Sequence, residues 1–254
     1  ASDDYGLLRT VANLLEGSPD RRTPTILLST LARLTASARD TSRDARVAIL
    51  QRLKELGSRR NAGVLRPYLE DPDLRVAATA AEALSDWTGQ TVLARTSRLR
   101  TGTPPSLEAA LGLIGAHVRM VNGAEFQLTL FPEEAPATVD RFSQLARKGY
   151  YNTLTFHRVV PNFVIQGGSP GANEFMGDGP YMRDELGLRP HVRGAVGIST
   201  RGRDTGDAQI FINLVDNPRL DHNFTVFAQV TAGMDTVDAI LEGDAIDRIE
   251  IIER

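Results

Sequence analysis

Four histidines (His117, His157, His191 and His222) and no cysteine limit the side-chain chemistry open to this 254-residue chain. The histidines show no metal-ligand spacing, and the lack of thiols removes disulfides, thiolate zinc sites and cysteine nucleophiles together. Asp204 and Asp207 could suggest paired carboxylates for hydrolysis, but they sit in RGRDTGD (201–207), where turn geometry alone favours aspartate. The glycine-rich GGSPGANEFMGDGP (167–180) lacks the strand–turn–helix setting and Lys-Ser/Thr ending of a phosphate loop, so it reads as a flexible surface loop. What remains is FHRVVPNFVIQGG (156–168), which sets a guanidinium (Arg158) close to apolar side chains (Phe163, Val164) and an amide (Gln166). Taken singly, each has a structural explanation: Phe163, and Phe211 in DAQIFIN (207–213), as core, Gln166 as a surface amide, Arg158 as a surface charge. His157 precedes the arginine on a strand, should face the opposite way, and reads as a hydrogen-bonded structural histidine.

The elements that must hold this segment are strands. Residues 117–131 alternate around Asn122-Gly123, the signal for a two-residue hairpin turn. EEAPATVDRFSQLARKG (133–149) reads as a helix with Pro136 near its start, Val139, Phe142 and Leu145-Ala146 on one face, and Gly149 at its end. Further short strands are expected at 156–158, 163–166, 195–199, 209–214, 224–230 and 247–252, separated by Gly, Pro and Asp turns. Regular short strands with one or two helices suggest a barrel closed on itself.

Residues 5–87 read differently, with apolar positions at three-and-four spacing: Ile26, Leu27, Leu31 and Leu34, then Val47, Leu50, Leu53 and Leu56 closing on Gly57, then Val64, Leu65, Tyr68 and Leu69. Asp71 is expected to cap the next helix, with Pro72 at its first position. Laying 44–57 over 73–86 matches Asp44 with Asp73, Arg46 with Arg75, Val47 with Val76 and Ala48 with Ala77. Repetition at about 30 residues implies stacked helical hairpins. The stretch resembles HEAT-type repeats, carried by PYLEDPDLRVAATAAEAL (67–84); a plain helical bundle is the alternative. Residues 89–116 read as a linker with a possible short helix at 106–113, and Arg95, Arg98 and Arg100 in it as solvated charges rather than a nucleic-acid contact.

Composition supports two separately built modules. The net charge of −3 divides into 16 Lys+Arg against 12 Asp+Glu over residues 1–100 and 13 against 20 over 101–254. No apolar run is long enough for a membrane span, and ASDDYGLLRT lacks the regions of a signal peptide. A soluble protein of cytoplasm or periplasm is expected, the compartment being undetermined. Arginine outnumbers lysine 27 to 2, as coding bias in a GC-rich bacterium would produce.

FHRVVPNFVIQGG resembles the signature segment of the cyclophilins. FPEEAPATVDRF (131–142), GYYNTLTFHRV (149–159), DAQIFIN (207–213), NPRLDHNFTVFAQV (217–230) and GMDTVDAI (233–240) follow in that family's order, so the resemblance covers 117–254. It implies a mainly-β closed antiparallel eight-stranded barrel with two helices, preceded by the all-α segment 1–88. It implies a peptidyl-prolyl cis-trans isomerase that needs no cofactor or metal. Rotating an X-Pro bond crosses about 18–20 kcal/mol because twisting destroys amide resonance. A catalyst must therefore bind the twisted amide best, and a fixed donor near its pyramidal nitrogen does so.

The resemblance makes Arg158 the catalytic arginine, with Gln166 positioning it and the substrate. Phe163, Val164, Phe211, Leu220 and Phe224 become the walls for the proline ring, and Ser199, Thr200, Arg201 and Gln209 the strand and groove along which the peptide lies. Three positions depart from well-studied eukaryotic members. Arg219 replaces a tryptophan important for cyclosporin binding, Phe224 replaces a histidine, and Ser199-Thr200-Arg201 replaces Ala-Asn-Ala. Partners are then proline-containing peptides or unfolded clients, plus an unidentified protein docked by the helical repeats; a non-catalytic proline-loop adaptor and a holdase chaperone are the alternatives.

Overall fold

The computed structural model describes residues 2–96 and 110–254. The chain divides into two compact units, residues 1–100 and 101–254. The expected helix at 106–113, Arg98 and Arg100 lie wholly or largely outside the described residues.

The first unit is helical: α1 (Tyr5–Leu14), α2 (Thr23–Ala36), α3 (Arg43–Leu56), the single turn α4 (Ala62–Leu65) and α5 (Leu74–Thr88). Its core is built from Leu27, Leu31 and Leu34 of α2, Leu50 and Leu53 of α3 and Val76, Ala80 and Leu84 of α5. Ile26 and Val64, expected on buried faces, point outward, because each helix seats only one side on α3 or α5. The cap of α5 is also two residues later than expected. Asp73 accepts from Arg75 N and Val76 N, whereas Asp71 is buried and pairs with Arg46 at 2.5 Å. Helix α3 does stop at Gly57, but in extended backbone; a Cβ there would lie 2.4 Å from Trp87 Cζ2, and the indole donates to Lys54 O at 3.0 Å. Gly57 is a close-approach glycine.

The second unit is an antiparallel half-barrel of eight strands: β1 (Leu113–Met120), β2 (Glu125–Leu130), β3 (Phe156–Val160), β4 (Val164–Gly167), β5 (Ala195–Ile198), β6 (Ile210–Asn213), β7 (Val226–Ala232) and β8 (Ile246–Glu253). Hydrogen bonding orders them β3-β4-β6-β5-β7-β2-β1-β8. The outer strands β3 and β8 share no ladder; they meet where Thr155 bridges Ala245 and Phe156 N donates to Asp244 O at 2.9 Å. The β1–β2 hairpin turns through three residues rather than two. Gly123 N donates to Met120 O, Met120 N to Ala124 O, and Gly123 takes φ +86°, the left-handed position such loops require.

Helix α6 (Pro136–Arg147) packs against β8, β1 and β7, and α7 (Met234–Ala239) packs beside β2. Helix α6 begins without a local cap: Ala135 has no side-chain acceptor, and Glu185, far along the chain, accepts from Ala137 N and Thr138 N at 3.0 and 2.8 Å. That carboxylate also complements the helix dipole. Phe142 meets Tyr151 and Phe227 at centroid distances of 5.5 and 5.1 Å in the core. Ile165, Val196, Ile210 and Ile212 point into the same core. Strand alternation therefore turns their neighbours Gln166, Gly197 and Phe211 to the outer face of the sheet.

Candidate functional site

Strand register assembles the site. Arg158 of β3 lies opposite Gln166 of β4, Gln166 opposite Phe211 of β6, and Phe211 opposite Gly197 of β5. One row across four strands thus carries a cation, an amide, an aromatic ring and a gap. The gap has a purpose: a Cβ on Gly197 would stand 2.3 Å from Phe211 Cζ, so only glycine lets the ring lie down on the sheet.

The row is joined by hydrogen bonds. Arg158 Nη1 donates to Gln166 Oε1 at 3.3 Å, and Gln166 Nε2 donates to Ser199 Oγ at 2.9 Å and Gln209 Oε1 at 3.0 Å. Gln166 is buried while Arg158 is exposed, so the amide is the fixed end and the guanidinium the arm. Phe163 is aimed by its turn. Phe163 N donates to Val160 O at 3.1 Å, Pro161 supplies the constrained φ of the second position, and Asn162 takes φ +55°, which asparagine tolerates. Behind it Asn217 Nδ2 and Leu214 N donate to Phe163 O at 3.1 and 2.9 Å.

These side chains border a cleft of ≈ 460 Å³. Arg158, Phe163, Val164, Gln166 and Phe211 line it, as do Ser199, Thr200, Leu220 and Phe224. Phe211 and Phe224 meet edge to face at 5.8 Å. Two residues expected at the groove lie one layer back. Gln209 is buried and donates to Asn173 O and Met176 O at 3.1 and 2.6 Å. Arg201 is turned to the Glu174 carbonyl, the Tyr181 hydroxyl and the Phe175 ring. Both clamp the glycine-rich segment, and Ala172, Asn173, Glu174 and Phe175 form a wall of the cleft. The segment read as a flexible surface loop is a tethered wall.

His157 also borders the cleft, because a register irregularity between Phe156 and Arg158 interrupts the alternation that would turn it away. Its two ring nitrogens are buried, and burial lowers its pKa against the opposite pull of the Thr155 backbone. Sequence reasoning only excluded His191 as a metal ligand and gave it no place in the site. It lies against Phe211 from behind, with Nδ1 3.1 Å from Asp221 Oδ1, and burial pushes its pKa down against that carboxylate's opposite pull. No grouping of three or more His, Asp or Glu suited to a metal occurs among the described residues.

The fold of the second unit is similar to that in a crystal structure of a Cryptosporidium parvum cyclophilin type peptidyl-prolyl cis-trans isomerase. The TM-score is 0.52 at 24% identity, over 56% of this chain and 99% of that one, so the fold is cyclophilin-like. The family described as cyclophilin type peptidyl-prolyl cis-trans isomerase/CLD matches residues 117–252, more than half of the chain, and the chain belongs to it. A peptidyl-prolyl cis-trans isomerase of Helicobacter pylori is 40% identical over 132 residues, covering 50% of this chain and 81% of the relative. Peptidyl-prolyl cis-trans isomerase B of Bacillus subtilis is 38% identical over 132 residues, covering 51% and 92%. The chain is a peptidyl-prolyl cis-trans isomerase.

Proposed function

We propose that Arg158 is the catalytic donor of this isomerase and Gln166 the residue that positions it, with the proline ring of a peptide or unfolded client seated among Phe163, Val164, Phe211, Leu220 and Phe224. The Arg158–Gln166 hydrogen bond beside the aromatic floor carries the reading. A planar amide nitrogen has no lone pair to offer, whereas the pyramidal nitrogen of the twisted bond does, so a guanidinium held beside it favours the twisted state. Ser199 and Thr200 line the path of the peptide, and Gln209 and Arg201 shape it through the loop they hold. No bond breaks and no cofactor takes part. In a protease-coupled assay on X-Pro peptides, Arg158→Ala should lower kcat/KM by about 10²–10³, the usual cost of removing one transition-state donor, with the thermal midpoint unchanged. Arg158→Lys should recover only part, since it lacks the planar fork. Undiminished rates in Arg158→Ala would defeat the assignment.

The proposal extends to the whole chain: residues 1–88 as HEAT-like repeats, the stretch read as linker (89–116) running into β1 at Leu113, and the remainder (read as 117–254) as a barrel closed through the Thr155–Ala245 bridge, in a bacterial protein. The repeats are a docking arm for a client or partner, a reading supported by Leu7, Val11 and Leu14, exposed at helical spacing on α1. Replacing all three by Glu should abolish the extra acceleration of a proline-limited refolding reaction over short-peptide rates, leaving peptide isomerisation intact. Equal loss in both assays would count against the arm.

A further inference from the structure

Beside the cleft, against its Phe163 ring, stands a second cation that the isomerisation chemistry does not use. Arg219 is exposed in the short turn Pro218–Leu220, and its guanidinium carbon lies 4.3 Å from the centroid of the Phe163 ring. Arg158 approaches the same ring at 5.9 Å, so two guanidinium groups lie near Phe163. Their situations differ. Arg158 is bonded to Gln166, whereas Arg219 has no carboxylate partner among the described residues.

The turn that presents Arg219 is fixed at both ends. Asn217 N donates to His191 O at 2.7 Å, Leu220 N to Asn217 O at 2.9 Å, and Asn223 Nδ2 to Arg219 O at 3.3 Å. Nearby Asp221 is occupied by the backbone N–H and ring of His191. The acidic group on the cleft is Glu174, on the loop wall formed by residues 172–175 rather than on the 218–220 turn. A peptide leaving the cleft past Phe163 therefore meets Arg219 on the side away from Glu174's loop, and the position of the guanidinium over the Phe163 ring leaves its N–H groups free to bond in their plane.

We infer that Arg219 is a specificity residue, and that this isomerase prefers proline bonds with an acidic side chain flanking the proline on the Arg219 side. The inference rests on the proline ring sitting among Phe163, Phe211 and Leu220. Its probe is a set of short X-Pro peptides with Glu, Gln or Lys immediately before or after proline, assayed with the full chain for turnover and, separately, for binding by fluorescence titration. At low ionic strength the Glu peptide should exceed the Lys peptide in kcat/KM and affinity by about two- to five-fold at one of the two positions, the yield of an exposed ion pair. The difference should shrink as salt is added. Arg219→Gln should erase it and Arg219→Glu reverse it, with the Gln peptide changed less than either.

Equal constants for the three peptides at both positions, or a Glu preference that survives Arg219→Glu, would overturn the inference. The binding arm separates this from failure of the site reading. Wild-type protein that turns over no peptide yet binds Glu peptides best, through Arg219, would refute the catalytic assignment and uphold the charge preference.

Discussion

The imidazole of His191 lies nearly parallel to the ring of Phe211, with centroids 5.8 Å apart and planes 8° from each other. The histidine side chain is fully buried, and its Nε2 has no hydrogen-bond partner. A proton on that ring would place a charge beneath the floor of the cleft that Asp221, at Nδ1, only partly offsets, with Nε2 left unpartnered. Burial depresses the pKa of His191, and burial does the same at His157. A histidine depressed in the fold stays neutral while the unfolded chain takes up a proton. Stability from this source is full above ~6.5 and is lost as pH falls from there through the folded-state value. Urea midpoints measured between pH ~7.5 and ~5 should fall on the acid side, less steeply in His191→Phe, which keeps a flat ring against Phe211 without the titrating nitrogen. Identical slopes would show that His191 does not contribute. Above pH ~7 the catalytic rate should be flat, because rotating an amide bond transfers no proton.

Gly197 invites a second test. Its backbone is not in the left-handed region, so alanine is conformationally permitted, and the only obstacle is the ring of Phe211 at 2.3 and 2.6 Å from the added carbon, with Thr225 O at 3.0 Å. Gly197→Ala must tilt that ring or spread β5 from β6. Overpacking of this kind costs about 1–3 kcal/mol, read as a lowered denaturation midpoint. Because the displaced ring is the cleft floor, KM for X-Pro peptides should rise more than kcat falls. Unchanged stability and KM together would mean the ring is not seated as described.

In the helical unit, Arg46 and Asp71 form an ion pair with side chains only 6% and 1% exposed. Removing one member of a buried pair leaves the other charged and unpaired, typically costing about 3–5 kcal/mol. Asp71→Asn and Arg46→Met should each lower the midpoint of helix loss followed by circular dichroism, and the double replacement should cost less than the sum. Peptide isomerisation, housed in residues 117–252, should survive in both single variants at temperatures where they stay folded.

The parts of the site that were legible in the sequence share one segment or one strand row. Arg158, Phe163 and Gln166 lie within nine residues of FHRVVPNFVIQGG, and Phe211 follows in a strand whose alternation could be read directly. Strands β2 to β8 fell within two residues of their expected bounds because Gly, Pro and Asp punctuate them, whereas β1 begins at Leu113, four residues before the expected 117 and inside the stretch read as linker. His191, Gly197 and the wall at 172–175 were not legible, since each acquires its role through contacts 14 to 36 positions away: Phe211 for the first two, Gln209 for the third. Capping by Glu185 across 47 positions, and pairing of Asp71 with Arg46 in place of a local cap, defeated sequence reasoning for the same reason. The HEAT-like pattern rests on one well-matched pair of helices, α3 and α5, which pack together while the rest of the repeat is irregular.

Gln209 links that distant loop to the row of site residues through a single side chain. Its Oε1 accepts from Gln166 Nε2 at 3.0 Å, and its Nε2 donates to Asn173 O and Met176 O. Replacement by Leu removes all three bonds and strands buried groups at about 1–3 kcal/mol each. Gln166 keeps Ser199 as an acceptor, so the arginine arm should be loosened rather than lost. Gln209→Leu should therefore lower kcat and raise KM together, with kcat/KM down by roughly tenfold, which corresponds to about 1.4 kcal/mol. Gln209→Glu separates the two roles. Its carboxylate still accepts from Gln166 but can only repel the two loop carbonyls, so KM should rise through the released wall while kcat stays near wild type. If Gln209→Glu lost kcat as severely as Gln209→Leu, the loop and not the amide row would be what holds Arg158 in place.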